Sequence, residues 1–351
     1  MPTESPLTVA VVGLGYWGPN LLRVLEELPG VEVRWLCDLD QRRLDRFGAR
    51  HPHAATTISY EDLLADDGLS AIFIATPVFS HHKLAAASLR AGKHTFVEKP
   101  LAPSLESADD LIALSREHAR VLMCGHTFLY SPAVRAVKRT LEDGELGDIY
   151  FITSSRVNLG LHQRDVSVVW DLGPHDFSIL SYWLGETPSG VVGIGRDSVV
   201  PGVTDVAFLT LTFPSGVLAN VQLSWLAPSK LRRTVVVGSE KMLVYEDGAP
   251  EPLRIYDHGV VYQDPETFGQ YHLSYRTGAI VSPKLDSYEP LAAELADFAA
   301  AISEGREMSA NLVVARDVVT VAEAAQRALT TKRLITLAPE SRALTPDQSV
   351  A

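Results

Sequence analysis

The chain is poor in cysteine and has no long hydrophobic run. Only two cysteines, Cys37 and Cys124, occur among 351 residues, and they lack the C-x-x-C spacing of a redox or zinc motif. We interpret both as packing residues of buried strands. No apolar stretch approaches the ~18 residues of a membrane span, and the first residues lack the basic region of a signal peptide. We therefore expect a cytoplasmic protein with no membrane partner.

Positive charge is also scarce. Lysines and arginines number 31 against 43 aspartates and glutamates, which gives a formal net charge of -12. Nucleic-acid binding requires clustered cations, so this balance argues against a nucleic-acid partner. It does not exclude an anionic small molecule, because a binding site needs only local positive charge. The hydrophobic content of 46% is enough to fill the cores of two domains in a chain of this length.

The two parts of the chain have different patterns of hydrophobic residues. In the first, short apolar runs such as 70–75 and 94–97 alternate with helical patterns, as in a doubly wound parallel sheet. After Gly125, strand-like segments follow one another with few helices between them, which favours a mostly antiparallel sheet. These segments are 148–157, 204–213, 217–225, 232–237 and 242–245. Helices are predicted at 174–184, 290–302 and 312–330.

We therefore predict an α/β protein with two domains. Residues 1–125 form a Rossmann dinucleotide-binding domain with a doubly wound parallel sheet. Residues 126–339 form an α+β domain that binds substrate and contains the mostly antiparallel sheet. The polar residues 340–351 are expected to be a flexible tail.

Residues 8–38 have the order of a nucleotide-binding unit, namely strand, glycine loop, helix, strand and acid. Gly13, Gly15 and Gly18 have the G-x-G-x-x-G spacing directly after a β-branched run. The first glycine allows a tight turn, the second lets the backbone approach a pyrophosphate, and the third lets the helix pack closely on the sheet. The N-terminus of that helix attracts phosphate through its free N–H groups and its dipole.

Asp38 ends the second strand, about twenty residues after the last glycine of the loop. A carboxylate at this point accepts hydrogen bonds from an adenosine ribose, which favours NAD. A 2′-phosphate would add negative charge beside Asp38. Arg42 and Arg43 follow closely, so NADP stays open as the less favoured cofactor.

Further polar residues follow the next two predicted strands. Thr76, Pro77 and His81 come after one strand, and Glu98 and Lys99 come after the next. Loops after consecutive parallel strands gather at one edge of a sheet, so we expect these residues beside the glycine loop. Lys99 can donate a hydrogen bond to a substrate oxygen and stabilise the charge that develops there. The alternative is a surface lysine paired with Glu98.

The segment WDLGPHD, residues 170–176, stands at the start of a predicted helix. Pro174 suits a first helical turn, which places His175 near the helix N-terminus and Asp171 just ahead of it. The helix dipole disfavours imidazolium while a carboxylate favours it, so His175 can titrate near neutrality, as a general base requires. In the alternative interpretation, Asp171 or Gly173 caps the helix and His175 is a core residue.

A metal site is a third interpretation of the same segment. Asp171 and His175, together with His162 or Asp176, supply residue types that bind metals. No H-E-x-x-H or paired-cysteine spacing supports such a site, and we predict no metal.

Five segments in this order resemble the glucose–fructose oxidoreductase and inositol dehydrogenase family, Gfo/Idh/MocA. They are GLGYWGPN, CDLD, ATPVFSHH, AGKHTFVEKPLAPS and WDLGPHD. The resemblance runs from Thr8 to about Thr336, and AGKHTFVEKP is its most specific part. Members typically join an N-terminal Rossmann domain to a C-terminal α/β domain whose open, mostly antiparallel sheet often serves oligomerisation. The resemblance thus implies a homodimer or homotetramer.

The resemblance also implies roles for individual residues. The family's catalytic lysine falls on Lys99, and its aspartate and histidine fall on Asp171 and His175. Lys99 and His175 would flank the substrate carbon beneath the nicotinamide, with Asp171 orienting them. The Lys99–Pro100 peptide bond is expected to be cis, as in relatives. The cofactor contacts fall on Gly13, Gly15, Tyr16, Trp17, Gly18, Asp38, Thr76, Pro77, His81, Glu98 and Lys99.

One segment departs from the common family pattern. Residues 125–130, GHTFLY, stand where many members have an asparagine and an arginine. This version, together with residues 156–158 and 275–278, is closer to branches associated with nucleotide-sugar pathways. Each side chain concerned is either a substrate contact or an ordinary surface residue. We assign to the substrate His126, Tyr130, Arg156, His162, Arg164 and Arg276.

Together these residues predict an NAD-dependent oxidoreductase that interconverts a secondary hydroxyl and a ketone on a sugar, nucleotide-sugar or cyclitol. His175 would act as general base or acid, and Lys99 would stabilise the alkoxide during hydride transfer. One alternative is a glycosidase-like enzyme that retains NAD and acts by transient oxidation and elimination. Another is a non-catalytic NAD-sensing regulatory protein.

Overall fold

The computed structural model describes residues 6–160, 166–262 and 273–337. Within these ranges the chain forms two compact units, one made of 6–130 and 288–320 and the other of 131–287 and 321–337. Residues 288–320, which the sequence assigned to the second domain, thus cluster with the first unit. The domain boundaries at 125 and 339 otherwise stay a prediction. His162, Arg164 and the predicted tail at 340–351 lie outside the described residues.

The first unit contains a six-stranded sheet in which every neighbouring pair of strands is parallel. The strand order is β3-β2-β1-β4-β5-β6, which is that of a Rossmann fold. This confirms the predicted doubly wound sheet. Its strands are β1 (Leu7–Val12), β2 (Val31–Cys37), β3 (Ala55–Thr57), β4 (Ala71–Ile74), β5 (His94–Glu98) and β6 (Leu122–Gly125).

The second unit contains a nine-stranded sheet of order β14-β13-β12-β11-β7-β10-β9-β8-β15. Its neighbours are antiparallel except β7 and β10, which run parallel. The predicted mostly antiparallel sheet is therefore confirmed. Its strands are β7 (Ile149–Leu159), β8 (Gly190–Arg196), β9 (Val206–Thr212), β10 (Leu218–Ser224), β11 (Leu226–Gly238), β12 (Met242–Glu246), β13 (Leu253–Tyr262), β14 (Leu273–Val281) and β15 (Ile335–Thr336).

Helices connect the strands of both sheets and close the described chain. They are α1 (Gly18–Glu27), α2 (Gln41–Gly48), α3 (Tyr60–Ala65), α4 (Val78–Arg90), α5 (Leu105–Glu117), α6 (Pro132–Glu142), α7 (Val168–Asp171), α8 (Gly173–Leu184), α9 (Pro290–Glu304) and α10 (Ser309–Thr331). A short 3-10 turn, Thr127–Tyr130, follows β6. Within the described ranges, none of the helices has the length and apolar character needed to cross a membrane.

The core of the first unit is built from strands that are apolar on both faces. Residues 9–12 of β1 and 71–74 of β4 are all buried, as expected for strands in the middle of a parallel sheet. In α1, Leu21, Leu22 and Leu25 are buried while the intervening charged residues face solvent, which is the pattern of an amphipathic helix. On α9, the ring of Phe298 packs edge-on against Phe73 at 5.4 Å between centroids.

The two faces of the second sheet differ in burial. Along β10, Ala219, Val221 and Leu223 are buried, whereas Leu218 on the opposite face is 49% exposed. Side chains alternate between the faces of a strand, and the strand register carries this alternation across the sheet. Phe151 of β7 pairs with Leu218, and Ile194 of β8 pairs with Phe208 of β9. All four side chains are exposed, so this face carries uncovered apolar groups.

Candidate active site

Two glycines of the loop after β1 have no room for a side chain. A Cβ on Gly18 would lie 1.8 Å from the carbonyl oxygen of Gly13. A Cβ on Gly13, whose φ is +91°, would lie 2.6 Å from the carbonyl oxygen of Ala75. Both obstacles are backbone atoms, which no rotamer change can move aside. The Gly13 N–H also donates to the Cys37 carbonyl at 2.8 Å, and this bond ties the loop to β2.

Gly15 lies in open space by comparison. A Cβ there would meet only the Arg43 guanidinium, at 3.7 Å, so a ligand can approach the backbone closely at this point. A cavity of about 440 Å³ opens beside it, lined by Leu14, Gly15, Tyr16, Pro19, Arg43, Arg46, Phe47 and Arg50. Its three arginines supply local positive charge on an acidic chain. The open backbone, the arginines and the start of α1 at Gly18 fit the phosphates of a dinucleotide.

Asp38 connects the end of β2 to the glycine loop. Its carboxylate accepts hydrogen bonds from the Leu14 N–H at 2.7 Å and from the Asp40 N–H at 2.8 Å. The Arg43 guanidinium lies 3.3 Å from the same side chain, which is buried. Asp38 thus positions the loop itself. Its contact with a ribose stays a prediction.

His81 connects the loops that follow β4 and β5. The ring is buried, with Nδ1 2.8 Å from the Pro100 carbonyl oxygen and Nε2 2.8 Å from the Thr76 carbonyl oxygen. Burial lowers the pKa of this imidazole, against the opposing effect of the two carbonyls. The Lys99–Pro100 bond is cis, as expected from the resemblance. His81, a predicted cofactor residue, therefore links these two loops. Pro77, another predicted cofactor residue, directly precedes the first residue of α4.

Several buried polar atoms of the first unit have no hydrogen-bond partner in the part of the chain that the structure describes. They include Trp17 Nε1, Glu98 Oε1, Glu294 Oε1 and both ring nitrogens of His126. Burial raises the pKa of Glu98 to about 7. Burial, followed by the charge of Lys99, lowers the pKa of His126 to about 3. Because unsatisfied buried polar groups are costly, the nitrogens of Trp17 and His126 fit contacts with a bound polar group.

The residues after β6 make contacts with α9. The Tyr130 hydroxyl donates to Asp297 Oδ2 at 2.6 Å, and the Thr127 hydroxyl donates to Glu294 Oε2 at 2.7 Å. Tyr130 is only 7% exposed. The structure thus places Tyr130 in a packing contact inside the first unit, and its substrate contact stays a prediction.

On the second unit, Asp171 and His175 occupy the junction of two helices. Asp171 ends α7, and α8 begins at Gly173, so His175 lies in its first turn. The Trp225 indole donates to Asp171 Oδ2 at 2.9 Å, and Trp225 itself is fully buried. Sequence reasoning did not find this anchor, although a tryptophan at the end of an apolar strand needs a partner for its N–H.

The structure contradicts the interpretation in which Asp171 or Gly173 caps α8. Leu172 occupies the N-cap position of α8, and no side chain caps the helix. Gly173 instead packs against Phe177, whose ring would lie 2.7 Å from an added Cβ. Asp171 is therefore held by the indole of Trp225.

Arg156 is a buried residue of β7, with 4% of its side chain exposed. Its guanidinium pairs with Asp176, which also accepts a hydrogen bond from the Ser154 hydroxyl at 2.6 Å. Arg156 thus anchors the first turn of α8, and its contact with the substrate stays a prediction. Arg276 of β14 lies 3.0 Å from Asp257 Oδ1 and is paired with acidic neighbours. In the described ranges, no group of three His, Cys, Asp or Glu residues could hold a metal ion.

Comparison with known protein families identifies the fold. The profile of an oxidoreductase family with an NAD-binding Rossmann fold, Gfo/Idh/MocA, matches residues 7–126. The profile of the family's C-terminal domain matches residues 134–244. The chain belongs to the Gfo/Idh/MocA family. Membership confirms the resemblance seen in the motifs. It also confirms the prediction of an NAD(P)-dependent dehydrogenase. The NAD-binding profile falls within the first unit.

Individual relatives are similar along much of the chain. The uncharacterised oxidoreductase YrbE of Bacillus subtilis is 26% identical over 86% of this chain and 88% of its own length. D-apiose dehydrogenase of Paraburkholderia graminis is 28% identical over 70% of this chain and 66% of its own length. The structure of GenD2 from gentamicin A biosynthesis, in complex with NAD, covers 96% of this chain and 98% of its own, with 24% identity and a TM-score of 0.81. That structure shares the fold.

Proposed function

We propose that this chain interconverts a secondary hydroxyl and a ketone on a sugar, nucleotide-sugar or cyclitol, with NAD as hydride acceptor or, in reduced form, as donor. The observation that carries the proposal is the anchored Asp171–His175 segment. An NAD-binding domain alone does not define a reaction, because that fold serves many. An imidazole in the first turn of α8, four residues after a carboxylate fixed by Trp225, supplies a group suited to proton transfer.

In this proposal His175 takes the proton of the substrate hydroxyl during oxidation and returns it during reduction. Lys99, in the loop after β5, stabilises the negative charge on the substrate oxygen. Asp171 orients His175. NAD, held at the glycine loop, would supply the hydride acceptor, and the protein contributes binding and orientation.

The substrate class is supported by a relative. D-apiose dehydrogenase acts on a sugar by its name, and it is 28% identical over 256 residues. The three arginines of the cavity beside Gly15 keep NADP open as a cofactor. It is the less favoured one, because the Asp38 carboxylate would repel a 2′-phosphate. Cytoplasmic localisation stays a prediction.

We also propose that this chain forms a homodimer or homotetramer. The exposed apolar side chains of the second sheet, Phe151, Ile194, Phe208 and Leu218, form a face that a second copy could cover. Contiguous exposed apolar groups of this kind mark interaction surfaces, and a symmetric pair would use the same face on both copies.

The test uses the purified chain with NAD and a panel of sugars, nucleotide-sugars and cyclitols. We expect at least one compound to yield reduced nicotinamide, read by its absorbance. Lys99→Ala and His175→Ala should then lower kcat/KM by about 100-fold or more, while calorimetry shows that both still bind NAD. His53→Ala, which changes an exposed histidine paired with Glu26, is the control and should retain activity.

Three results would contradict the proposal. Wild-type turnover by Lys99→Ala or His175→Ala would remove both assigned roles. Release of a sugar without accumulation of reduced nicotinamide would indicate the glycosidase-like elimination. Silence across the whole panel together with tight NAD binding would indicate the sensor.

A further inference from the structure

Two glutamates of the first unit are buried side by side without any assigned part in proton transfer. Glu98 ends β5 and is 8% exposed, and Glu294 lies in α9 and is fully buried. In each carboxylate, Oε1 has no hydrogen-bond partner among the residues described. Buried carboxylates are normally paired or fully hydrogen-bonded, so the state of these two needs an explanation.

Packing between β5 and α9 brings the two carboxylates to the same place. Phe96 lies two residues before Glu98 and therefore on the same face of β5, and Phe298 lies one turn after Glu294 on the same face of α9. The two rings pack with centroids 5.8 Å apart. This contact brings the two faces together, and the charge of Glu98 acts on Glu294.

The last residue of β6 and the turn after it lie against the two carboxylates. Gly125 is paired with Glu98 across the sheet, and a Cβ on Gly125 would lie 3.2 Å from the Glu98 carboxyl carbon. Two residues later, the Thr127 hydroxyl donates to Glu294 at 2.7 Å. The carboxylates are thus neighbours in a space enclosed by β5, β6 and α9.

Two ionised carboxylates would need two positive charges to balance them. The charged and titratable groups around Glu98 and Glu294 do not supply both. The next residue after Glu98 is Lys99, whose positive charge acts on that carboxylate. His126 is neutral at pH 7, because its pKa is lowered to about 3. Cys124 of β6 is buried with a raised pKa and adds no charge. Asp297, one turn along α9, is held by Arg306 at 2.8 Å.

We propose that Glu98 and Glu294 share one proton at neutral pH, so that the pair carries a single negative charge beside Lys99. Glu294 is then a positioning residue that acts through Glu98, because the shared proton limits the pair to one negative charge. When the pH rises, the pair releases its proton to solvent and gains a second charge. The role toward Lys99 rests on the proposed function, whereas the shared proton does not.

The pKa of each carboxyl is shifted in the direction that a shared proton requires. Burial raises the pKa of Glu98 to about 7. Burial, followed by the negative charge of Glu98, raises the pKa of Glu294 well above its usual value. Two interacting carboxyls of this kind lose their protons in two separate steps that belong to the pair.

Infrared spectroscopy of the wild-type chain tests the shared proton directly. We expect the carbonyl stretch of a protonated carboxyl to be present at pH 7. As the pH is raised from acid, the signal of the pair should be lost in two steps. Glu294→Gln and Glu98→Gln should each lose the step at higher pH, since each variant retains one carboxyl of the pair. Glu117→Gln, at an exposed position of α5, is the matched control and should keep both steps.

A wild-type spectrum without a protonated carboxyl at pH 7 would overturn the proposal, and this measurement requires no variant to fold and no substrate. So would a Glu294→Gln spectrum that matches the wild type. Thermal unfolding gives a second readout. Groups whose pKa is higher in the folded state bind more protons there than in the unfolded chain, so stability falls as pH rises through the folded pKa. Glu294→Gln should flatten this fall above about pH 7.

The positioning role has its own test once a substrate is known. Glu294→Gln should extend the alkaline limb of kcat/KM to higher pH, and Glu294→Asp, which retains a carboxyl, should keep the wild-type limb. An unmoved limb in Glu294→Gln, with the infrared result as expected, would overturn the role toward Lys99 while leaving the shared proton intact. Failure of the substrate panel would contradict the proposed function alone.

Discussion

The glycine loop of the first unit and the Asp171–His175 segment of the second are held by different kinds of interaction. Gly13 and Gly18 are fixed by backbone atoms that leave no space for a side chain. Asp171 is fixed by a hydrogen bond from Trp225, which lies 54 residues further along the chain. The glycine loop is therefore limited by the close approach of backbone atoms, and the position of Asp171 by a side-chain hydrogen bond. A change in the loop should disturb the fold, whereas a change near Asp171 should first disturb chemistry.

The largest effect is expected at Gly18. Gly18→Ala places a Cβ against the Gly13 carbonyl, so we expect a loss of unfolding free energy of about 4 kcal/mol or more, measured by chemical denaturation. Gly15→Ala is the matched variant, because Gly15 has space for a methyl group. It should keep stability within about 0.5 kcal/mol and weaken NAD binding about tenfold by keeping phosphate away from the backbone. Equal stability of the two variants would break the comparison.

The buried pair of Arg156 and Asp176 should give the next largest effect. Asp176→Asn leaves the Arg156 charge buried without its carboxylate, which should cost about 3 kcal/mol of unfolding free energy. The double variant with Arg156→Met should lose less than the sum of the single variants, as expected for contacting residues. Asp197→Asn, at an exposed carboxylate that accepts the Gly202 N–H, is the control. Additive losses in the double variant would show that the two side chains act independently.

The smallest effect is expected at Trp225. Trp225→Phe removes the hydrogen bond to Asp171 and keeps most of the ring, so we expect kcat to fall by about fivefold with a smaller change in stability. Trp35→Phe is a matched control, since the Trp35 indole donates to Asp66 at 2.7 Å in the first unit. It should leave kcat unchanged. A Trp225→Phe enzyme with wild-type kcat and pH profile would show that Asp171 needs no anchor.

The parts of the fold that the sequence predicted are those with local determinants. Residues 9–12 of β1 and all of β4 are continuous apolar runs, and the glycine spacing marks the turn between β1 and α1. In the second unit, the alternating residues of β9 and β10 predicted both strands within two residues. The start of α8 followed from Pro174, and the structure shows Gly185 at its C-cap with a φ of +64°.

Other features depend on partners that the sequence does not reveal. Strand β8, GVVGIGR, contains glycines that weaken its strand signal, and it forms because β9 pairs along its whole length. The alternation of side chains along β7 places Arg156 on one of the two faces of the strand. Its ion pair with Asp176 on α8 makes this the buried face. Tyr130 and His126 are buried under α9, which the sequence assigned to the other domain. Long-range pairing, not local propensity, sets these positions.

The place of β7 in the second sheet has a consequence for synthesis of the chain. Phe151 of β7 pairs with Leu218 of β10 on one side and with Val237 of β11 on the other. Both neighbours are made long after β7, so this strand leaves the ribosome with two unpaired edges. Contacts between residues so far apart slow folding, and exposed strand edges favour association with other chains. The strand at the centre of the finished sheet is thus the one most in need of protection while the protein is being made.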